Sequence, residues 1–381
     1  MKLSYKIKFP LLCFVMAYTL FTFSMFNRDT SNVNIFYTLT NIAKYAALIF
    51  SICGAVNTAL SKKQFIGLLI LLSADLIVTL RTGALLFIII TIFAYLAMKI
   101  DNKDICKLAF YTLLIYTLVT MLFCILGIYT DLITRRWLDS TDRHSFGFYH
   151  SNVVPLIYSY LLAYYLLIIQ KKPKMRTYTL LILISFLIYH FCGSRNAVVI
   201  SILLVIGKII SYTKWLDKGK TARTINKKLY YLAKYSVVFW GIITIIIPIF
   251  LKKSRFLNLI DFILSYRFTY IAAKIQHLGL NLFPKMTNEE YFADKIVIDN
   301  GYAFVTIRYG LLMLIILSML VASIAHRYRN NTYVLIVILL ITALNFVDND
   351  IFDYSCLPFV IIGIKCLVGD VQNARKGINH V

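Results

Sequence analysis

The residues of this sequence best suited to chemistry fall in four short stretches. The first is Arg143-His144-Ser145-Phe146-Gly147-Phe148-Tyr149-His150-Ser151-Asn152. A histidine such as His150 titrates near neutral pH and can act as a general base or donate a hydrogen bond. Asn152 can orient that ring or a substrate hydroxyl, and Gly147 lets the backbone come close to a ligand. The second stretch is Gly193-Ser194-Arg195. Arginine presents a planar fork of donors that suits phosphate and carboxylate oxygens. The third is Asp299-Asn300-Gly301-Tyr302, followed by Arg308-Tyr309-Gly310. Asp299 either caps the helix beginning there or serves as a base for a hydroxyl. The fourth is the acidic run Asp348-Asn349-Asp350. An acid-x-acid pattern can hold a cation, but three residues are a weak pattern and no metal is assigned. The chain lacks G-x-x-x-x-G-K-[ST], a G-x-G-x-x-G after a strand, and H-E-x-x-H. Neither ATP nor a nucleotide sugar held in a soluble domain is therefore expected, and no cofactor is called for.

Such residues need elements to hold them, and composition says what those are. Of 381 residues, 60% are hydrophobic and 15% charged, against about 45–50% and about 25% in soluble domains. A soluble domain of this size has no way to hide so much apolar surface. A bilayer does, because lipid tails are as apolar as a core. Apolar runs lie near 9–26, 35–59, 65–80, 83–98, 108–129, 152–169, 177–192, 196–212, 235–251, 301–324, 332–347 and 354–368. At about 20 residues per crossing, they predict an all-α polytopic membrane protein of about twelve transmembrane helices. The runs 65–80/83–98 and 177–192/196–212 are broken only by Arg81-Thr82-Gly83 and Gly193-Ser194-Arg195. Each pair exceeds one crossing of about 17–25 residues, so each reads as a hairpin with a glycine-containing turn. Residues 1–381 are expected to form a single integral membrane domain with one large loop, 252–300. The seven cysteines lie mostly in apolar runs, none paired as C-x-x-C, and read as small hydrophobes. The basic N-terminus leads into an apolar run without a small-residue cleavage site, which reads as an uncleaved first span. No repeat divides the chain into similar halves, which argues against a two-times-six transporter.

The net charge of +23 sits in short basic blocks between apolar runs. That is a topology signal, and nucleic acid is not expected as a partner. With a cytoplasmic N-terminus, the inner segments carry 18 Lys and 5 Arg, the outer ones 5 Lys and 8 Arg. The positive-inside rule then places both termini in the cytoplasm of a multi-pass inner or plasma membrane protein. Eight outer arginines run against that rule: Arg28, Arg81, Arg135, Arg136, Arg143, Arg195, Arg255 and Arg267. An anionic ligand at the outer face would compensate them. The basic inner loop 213–234 reads as an anchor to anionic lipids. In the large outer loop, Leu257, Ile260, Leu264, Phe268, Ile271, Ile275 and Leu278 recur at helical spacing. Arg267, Tyr270, Lys274 and His277 fall on another face. This pattern predicts an amphipathic helix on the outer interface, either a plain surface helix or a lid over a lipid-facing site. Lys44 and Asp75 lie within spans, where charges usually pair, and a structural Lys44–Asp75 pair is expected.

Taken in order, these motifs resemble the Wzy family of O-antigen and capsular polysaccharide polymerases. The residues that carry the resemblance are Gly147–Asn152, Gly193–Arg195, Arg267-Phe268-Thr269-Tyr270 in the late outer loop, and Asp299–Tyr302 with Arg308–Gly310. The family's usual proline after the histidine is Ser151 here. The resemblance implies a glycosyltransferase acting on glycan repeat units linked through pyrophosphate to undecaprenol, on the outer leaflet. The growing chain would move from its lipid pyrophosphate to the far-end hydroxyl of a new lipid-linked unit. By the same analogy Arg195 and Arg267 bind the phosphates and Arg81 and Arg143 support them, with Asn152 and Asn300 contacting substrate. His150 or Asp299 would assist the acceptor hydroxyl. The implied partners are the lipid-linked oligosaccharides, membrane lipids, and flippase and chain-length regulator proteins. Two other readings use the same features: an O-antigen-ligase-like transferase, and a lipid-linked oligosaccharide flippase.

Overall fold

The computed structural model of the protein describes residues 60–84, 86–135, 141–169, 172–213, 220–251, 254–285, 298–349 and 356–369. The expected spans 9–26 and 35–59, and with them Arg28 and Lys44, lie outside the described residues, as do Arg136 and Asp350. The described chain is mostly helical. Its helices are α1 (Lys62–Thr82), α2 (Leu86–Leu96), α3 (Asn102–Ile125), α4 (Val153–Ile168), α5 (Met175–Cys192), α6 (Arg195–Ser211), α7 (Lys220–Phe250), α8 (Arg255–Ile263), α9 (Arg267–Leu278), α10 (Gly301–Phe304), α11 (Leu311–Arg327), α12 (Thr332–Val347) and α13 (Leu357–Val368). Strands β1 (Thr134–Arg135) and β2 (Asp142–Arg143) form one antiparallel pair.

Among the described residues, four helices are long and apolar enough to cross a membrane: α1, α3, α5 and residues 223–250 of α7. At about 1.5 Å per residue, a helix of this length matches a hydrocarbon core of about 30 Å. The shorter apolar helices α2, α4, α11, α12 and α13 pack with them. The outward sides of α1, α3 and α5 expose Ile70, Leu80, Ile115, Ile125, Leu183 and Leu187. Such surface is tolerable against lipid tails and costly against water. The protein is therefore membrane-embedded.

The core lies between α2, α3, α4, α6, α12 and α13, around Phe93, Leu113, Ile157, Leu204, Leu335 and Ile361. Without a hydrophobic drive between helices in lipid, close approach and dispersion hold such packing. Small residues allow it: a Cβ on Gly207 would lie 2.7 Å from Ile336.

Hydrogen bonds sort the helix ends into two groups. At one end Arg143 bonds the Cys192 carbonyl, Arg81 the Pro284 carbonyl, and Asn300 the Phe346 carbonyl. At the other, Lys208 bonds the Ile169 carbonyl, Asn102 bonds Tyr328, Thr332 bonds Asn226, and Lys365 bonds the Ile100 carbonyl. We refer to these as the arginine end and the lysine end.

Three expectations change. The run 301–324 is not one helix. After α10 comes a π-helical turn, Val305–Tyr309, and then Gly310 at φ +86. There Leu311 and Leu312 donate backbone bonds to the Asn281 and Leu282 carbonyls, so α11 starts afresh. A Cβ on Gly310 would lie 2.6 Å from the Leu282 carbonyl oxygen, so only glycine fits this seam. Second, the amphipathic segment is two helices, α8 and α9, broken at Ser265 and Tyr266, both with φ +60. Buried Asp261 makes the elbow by accepting from the backbone N–H of Phe268 and Thr269 and from the Thr269 hydroxyl. Third, Lys274 is not on the wet face but buried beside Phe268, Ile271 and Leu278. At 100° per residue, roughly, it falls about 40° from Leu278 and about 60° from Ile271, at the edge of the side facing α7. Asp75 of α1, expected to pair with Lys44, accepts from Thr91 Oγ1 of α2 at 2.5 Å.

Candidate functional site

The loop between α3 and α4 is shaped by one carboxylate. Asp131 Oδ1 accepts from the backbone N–H of Ser145 at 2.8 Å and of Phe146 at 2.9 Å. The Ser145 hydroxyl also reaches it, at 3.3 Å, and accepts in turn from the Leu132 N–H at 2.8 Å. Asp131 Oδ2 lies 2.6 Å from Nδ1 of His144. Partial burial pushes the Asp131 carboxyl up, but these bonds outweigh it and hold its pKa below the usual carboxylate value. A carboxylate at Nδ1 fixes the neutral ring with its proton there, which leaves Nε2 as the proton-accepting nitrogen. This carboxylate–imidazole pair was not singled out from sequence. Asp131 lies 13 residues before His144, and only the turn of the loop joins them.

His150 is set differently. It is exposed, and its Nδ1 accepts from the Asn152 N–H at 3.1 Å. In the neutral ring that bond puts the proton on Nε2, making His150 a donor rather than a base. Ser151 is fully buried, and its hydroxyl lies 3.3 Å from that of Thr134, a tie that proline could not make.

Arg143 joins the first motif to the second. Its Nε donates to the Cys192 carbonyl at 2.8 Å, and a terminal nitrogen donates to Asn152 Oδ1 at 2.5 Å. The His144 N–H donates to the Phe191 carbonyl at 2.9 Å. The loop thus lies on the α5–α6 turn, and Phe146 and Phe191 meet edge to face at 5.9 Å. Gly193 ends α5 with φ +66, and a Cβ there would sit 2.8 Å from Arg143 Nε. Glycine is needed twice, for the left-handed backbone and for room. Arg195 follows as the exposed first residue of α6. That helix has no acidic residue in its first turn and no side-chain cap. A helix N-terminus without its own acid, beside an arginine, favours an anion.

The remaining expected residues form a second group at the same end. Arg267 donates to the Asp299 carbonyl at 3.5 Å, bringing together two motifs 32 residues apart. Arg81 donates to the Pro284 carbonyl at 3.2 Å. The helix cap is Asn300 rather than Asp299: Asn300 Oδ1 accepts from the Ala303 N–H at 2.9 Å. Its Nδ2 donates to the Phe346 carbonyl at 2.7 Å and to Thr244 at 3.3 Å. Asn300 is buried, and its amide is committed to holding α7, α10 and α12 together. Asp299 stays exposed. The two groups meet through α12, where Asn345 accepts from Tyr160 of α4 at 3.4 Å and Phe346 accepts from Asn300.

Compared with known family models, curated proteins and solved structures, the chain has no match.

Proposed function

We propose that this protein is a membrane glycosyltransferase that polymerises a surface polysaccharide. It would transfer a growing glycan from undecaprenyl pyrophosphate to the non-reducing end of a lipid-linked repeat unit. In this reading about twelve spans place the arginine end outside an inner or plasma membrane, with the lysine end and both termini in the cytoplasm. The observation that carries it is the joining of Asp131–His144, Arg143–Asn152 and the Gly193–Arg195 turn at one end of the bundle. An oriented imidazole stands there beside a helix N-terminus and arginines. Those are the parts needed to take a hydroxyl proton and to stabilise a departing pyrophosphate.

The roles then divide. His144 Nε2 takes the proton from the acceptor hydroxyl, and Asp131 holds the ring and stabilises its charged form. The hydroxyl oxygen bonds to the anomeric carbon as the carbon–oxygen bond to pyrophosphate breaks, and the electron pair leaves with the phosphate. Arg195, aided by the α6 N-terminus, meets that charge, with Arg267 and Arg81 as further phosphate ligands. Arg143 acts through Asn152 and the α5–α6 turn, as a positioning residue. His150 donates a hydrogen bond to substrate. Alignment of hydroxyl and anomeric carbon contributes as much as base strength.

The test is the length distribution of lipid-linked and surface glycan in cells carrying wild type, a deletion, or Arg195→Ala at matched protein level. Single repeat units on the outer face, with long chains lost in both mutants, are the expected result. Long chains stranded on the lipid would instead mean a ligase. Units trapped on the inner face would mean a flippase.

A further inference from the structure

At the lysine end, four side chains from three helices make a cluster the proposed chemistry does not use. Lys208, in the last turn of α6, is buried with 6% exposure. Its Nζ lies 4.5 Å from the centre of the Tyr333 ring at the start of α12, and 5.2 Å from that of Tyr212 just beyond α6. It donates to the Ile169 carbonyl at 3.1 Å, at the C-terminal end of α4. Tyr178, in the first turn of α5, completes the group as an electrostatic neighbour of Tyr212 and Tyr333.

Two deficits stand out. Lys208 has no ion pair with a carboxylate among the described residues. One carbonyl and two aromatic faces offset only part of the cost of burying an ammonium. The Tyr178 and Tyr333 hydroxyls are buried and make no hydrogen bond among the described residues. Tyr178 is 2% exposed and Tyr333 4%. A buried hydroxyl without a partner is uncommon and unfavourable. A water would answer the hydroxyls but not the charge. An acceptor-only anion answers both.

We propose that Lys208, Tyr178 and Tyr333 form a binding site for the phosphate oxygens of a membrane lipid. The position argues for a lipid rather than a soluble anion. All the helices concerned reach the cluster by their ends, and the ends of spanning helices are where headgroup phosphates meet a membrane protein. Exposed Lys174 and Arg176 stand four and two residues before Tyr178, at the same helix end, and attract anionic headgroups. Half-buried Tyr212 forms the rim, and the phosphate enters past it. The site is independent of the glycan chemistry at the other end.

The test uses the whole protein in a phosphate-free maltoside detergent, read by thermal unfolding. Three additions are compared: phosphatidylglycerol, phosphatidylcholine, and inorganic phosphate. Wild type should gain stability with either phospholipid and more with phosphatidylglycerol. Inorganic phosphate alone should give little gain. Tyr178→Phe and Tyr333→Phe should unfold at or above the wild-type temperature in detergent alone, since each removes an unpartnered hydroxyl. Both should lose most of the lipid-dependent gain, as should Lys208→Met. Lowered unfolding temperatures for both Phe variants in detergent alone would mean that internal water satisfies the hydroxyls, and would overturn the site. An undiminished lipid gain in the variants would overturn it too. A full gain from inorganic phosphate would make it a soluble-anion site and overturn the lipid assignment.

Discussion

The two ends of the bundle differ in how Arg143 and Lys208 are held, although Arg81 and Arg267, like the lysines, each reach a single carbonyl. At the arginine end, Arg143 bonds a side-chain amide and a helix-terminal carbonyl at once, and each partner belongs to a different element. Asp131 gathers two backbone N–H groups, a hydroxyl and an imidazole. At the lysine end, Lys208 and Lys365 each reach a single helix-terminal carbonyl, and Lys208 also lies against aromatic faces. A guanidinium has a fixed fork and specifies direction. An ammonium is a compact charge on a flexible stem and specifies little beyond position. On the proposed function and the proposed lipid site, the contrast suits one end to holding a reacting geometry and the other to resting among lipid headgroups.

The largest effect should come from the imidazole. With His144 as the base, His144→Ala should slow elongation of lipid-linked repeat units in proteoliposomes by about 100-fold or more. His150→Ala should cost far less, because its Nδ1 is spent on the Asn152 N–H. Equal losses in the two variants would break the distinction between base and donor.

Next come two glycines that share a left-handed backbone but differ in surroundings. Gly193 has φ +66 with Arg143 in the way, whereas Gly83 has φ +71 and nothing within 4 Å of its missing Cβ. Gly83→Ala should destabilise by only the backbone strain of about 1–2 kcal/mol. Gly193→Ala should lower the unfolding temperature further and reduce elongation, since Arg143 must leave the Cys192 carbonyl. Matching unfolding temperatures for the two variants would show that Arg143 yields freely.

A smaller effect follows from pH. The folded state holds Asp131 below its ordinary value of 3.8. Its ionised form therefore stabilises the loop above that pH, and the contribution is lost as pH falls below it. Amide protection factors at Ser145 and Phe146, taken against the unstructured exchange rate at each pH, should stay high near neutral pH and fall below about pH 4. Asp131→Asn should remove that dependence. The least effect belongs to Arg135 and Asp142, whose pair at 2.7 Å is exposed. Solvent and salt screen such a pair, so Arg135→Gln should leave unfolding temperature and elongation unchanged within error.

Much of the fold was legible because apolar runs have a length and a period. The ends of α4, α5, α6 and α12 fall within two residues of the runs 152–169, 177–192, 196–212 and 332–347. The break at Gly310 was hidden because the run 301–324 stays apolar on average despite Arg308 and Gly310. What splits it is a backbone contact from residues 281–282, distant in sequence. The elbow at Ser265 and Tyr266 was hidden for a related reason. Periodicity sums side chains along an element and does not register a buried Asp261 that ends one helix and caps the next.

The candidate site divides the same way. Sequence by itself determined that arginines crowd one set of loops and lysines the other, because residue type and alternation along the chain need no third dimension. It also marked Gly193 and Arg195, since a three-residue gap between apolar runs demands a tight turn. Only the tertiary structure decided which histidine faces a carboxylate, that Arg143 latches Asn152 to the α5–α6 turn, and that Asn300 rather than Asp299 caps its helix. Hydrogen bonds extend only about 3 Å and have direction. Their pairing is set by where the loops come to rest, and the order of residues does not fix it.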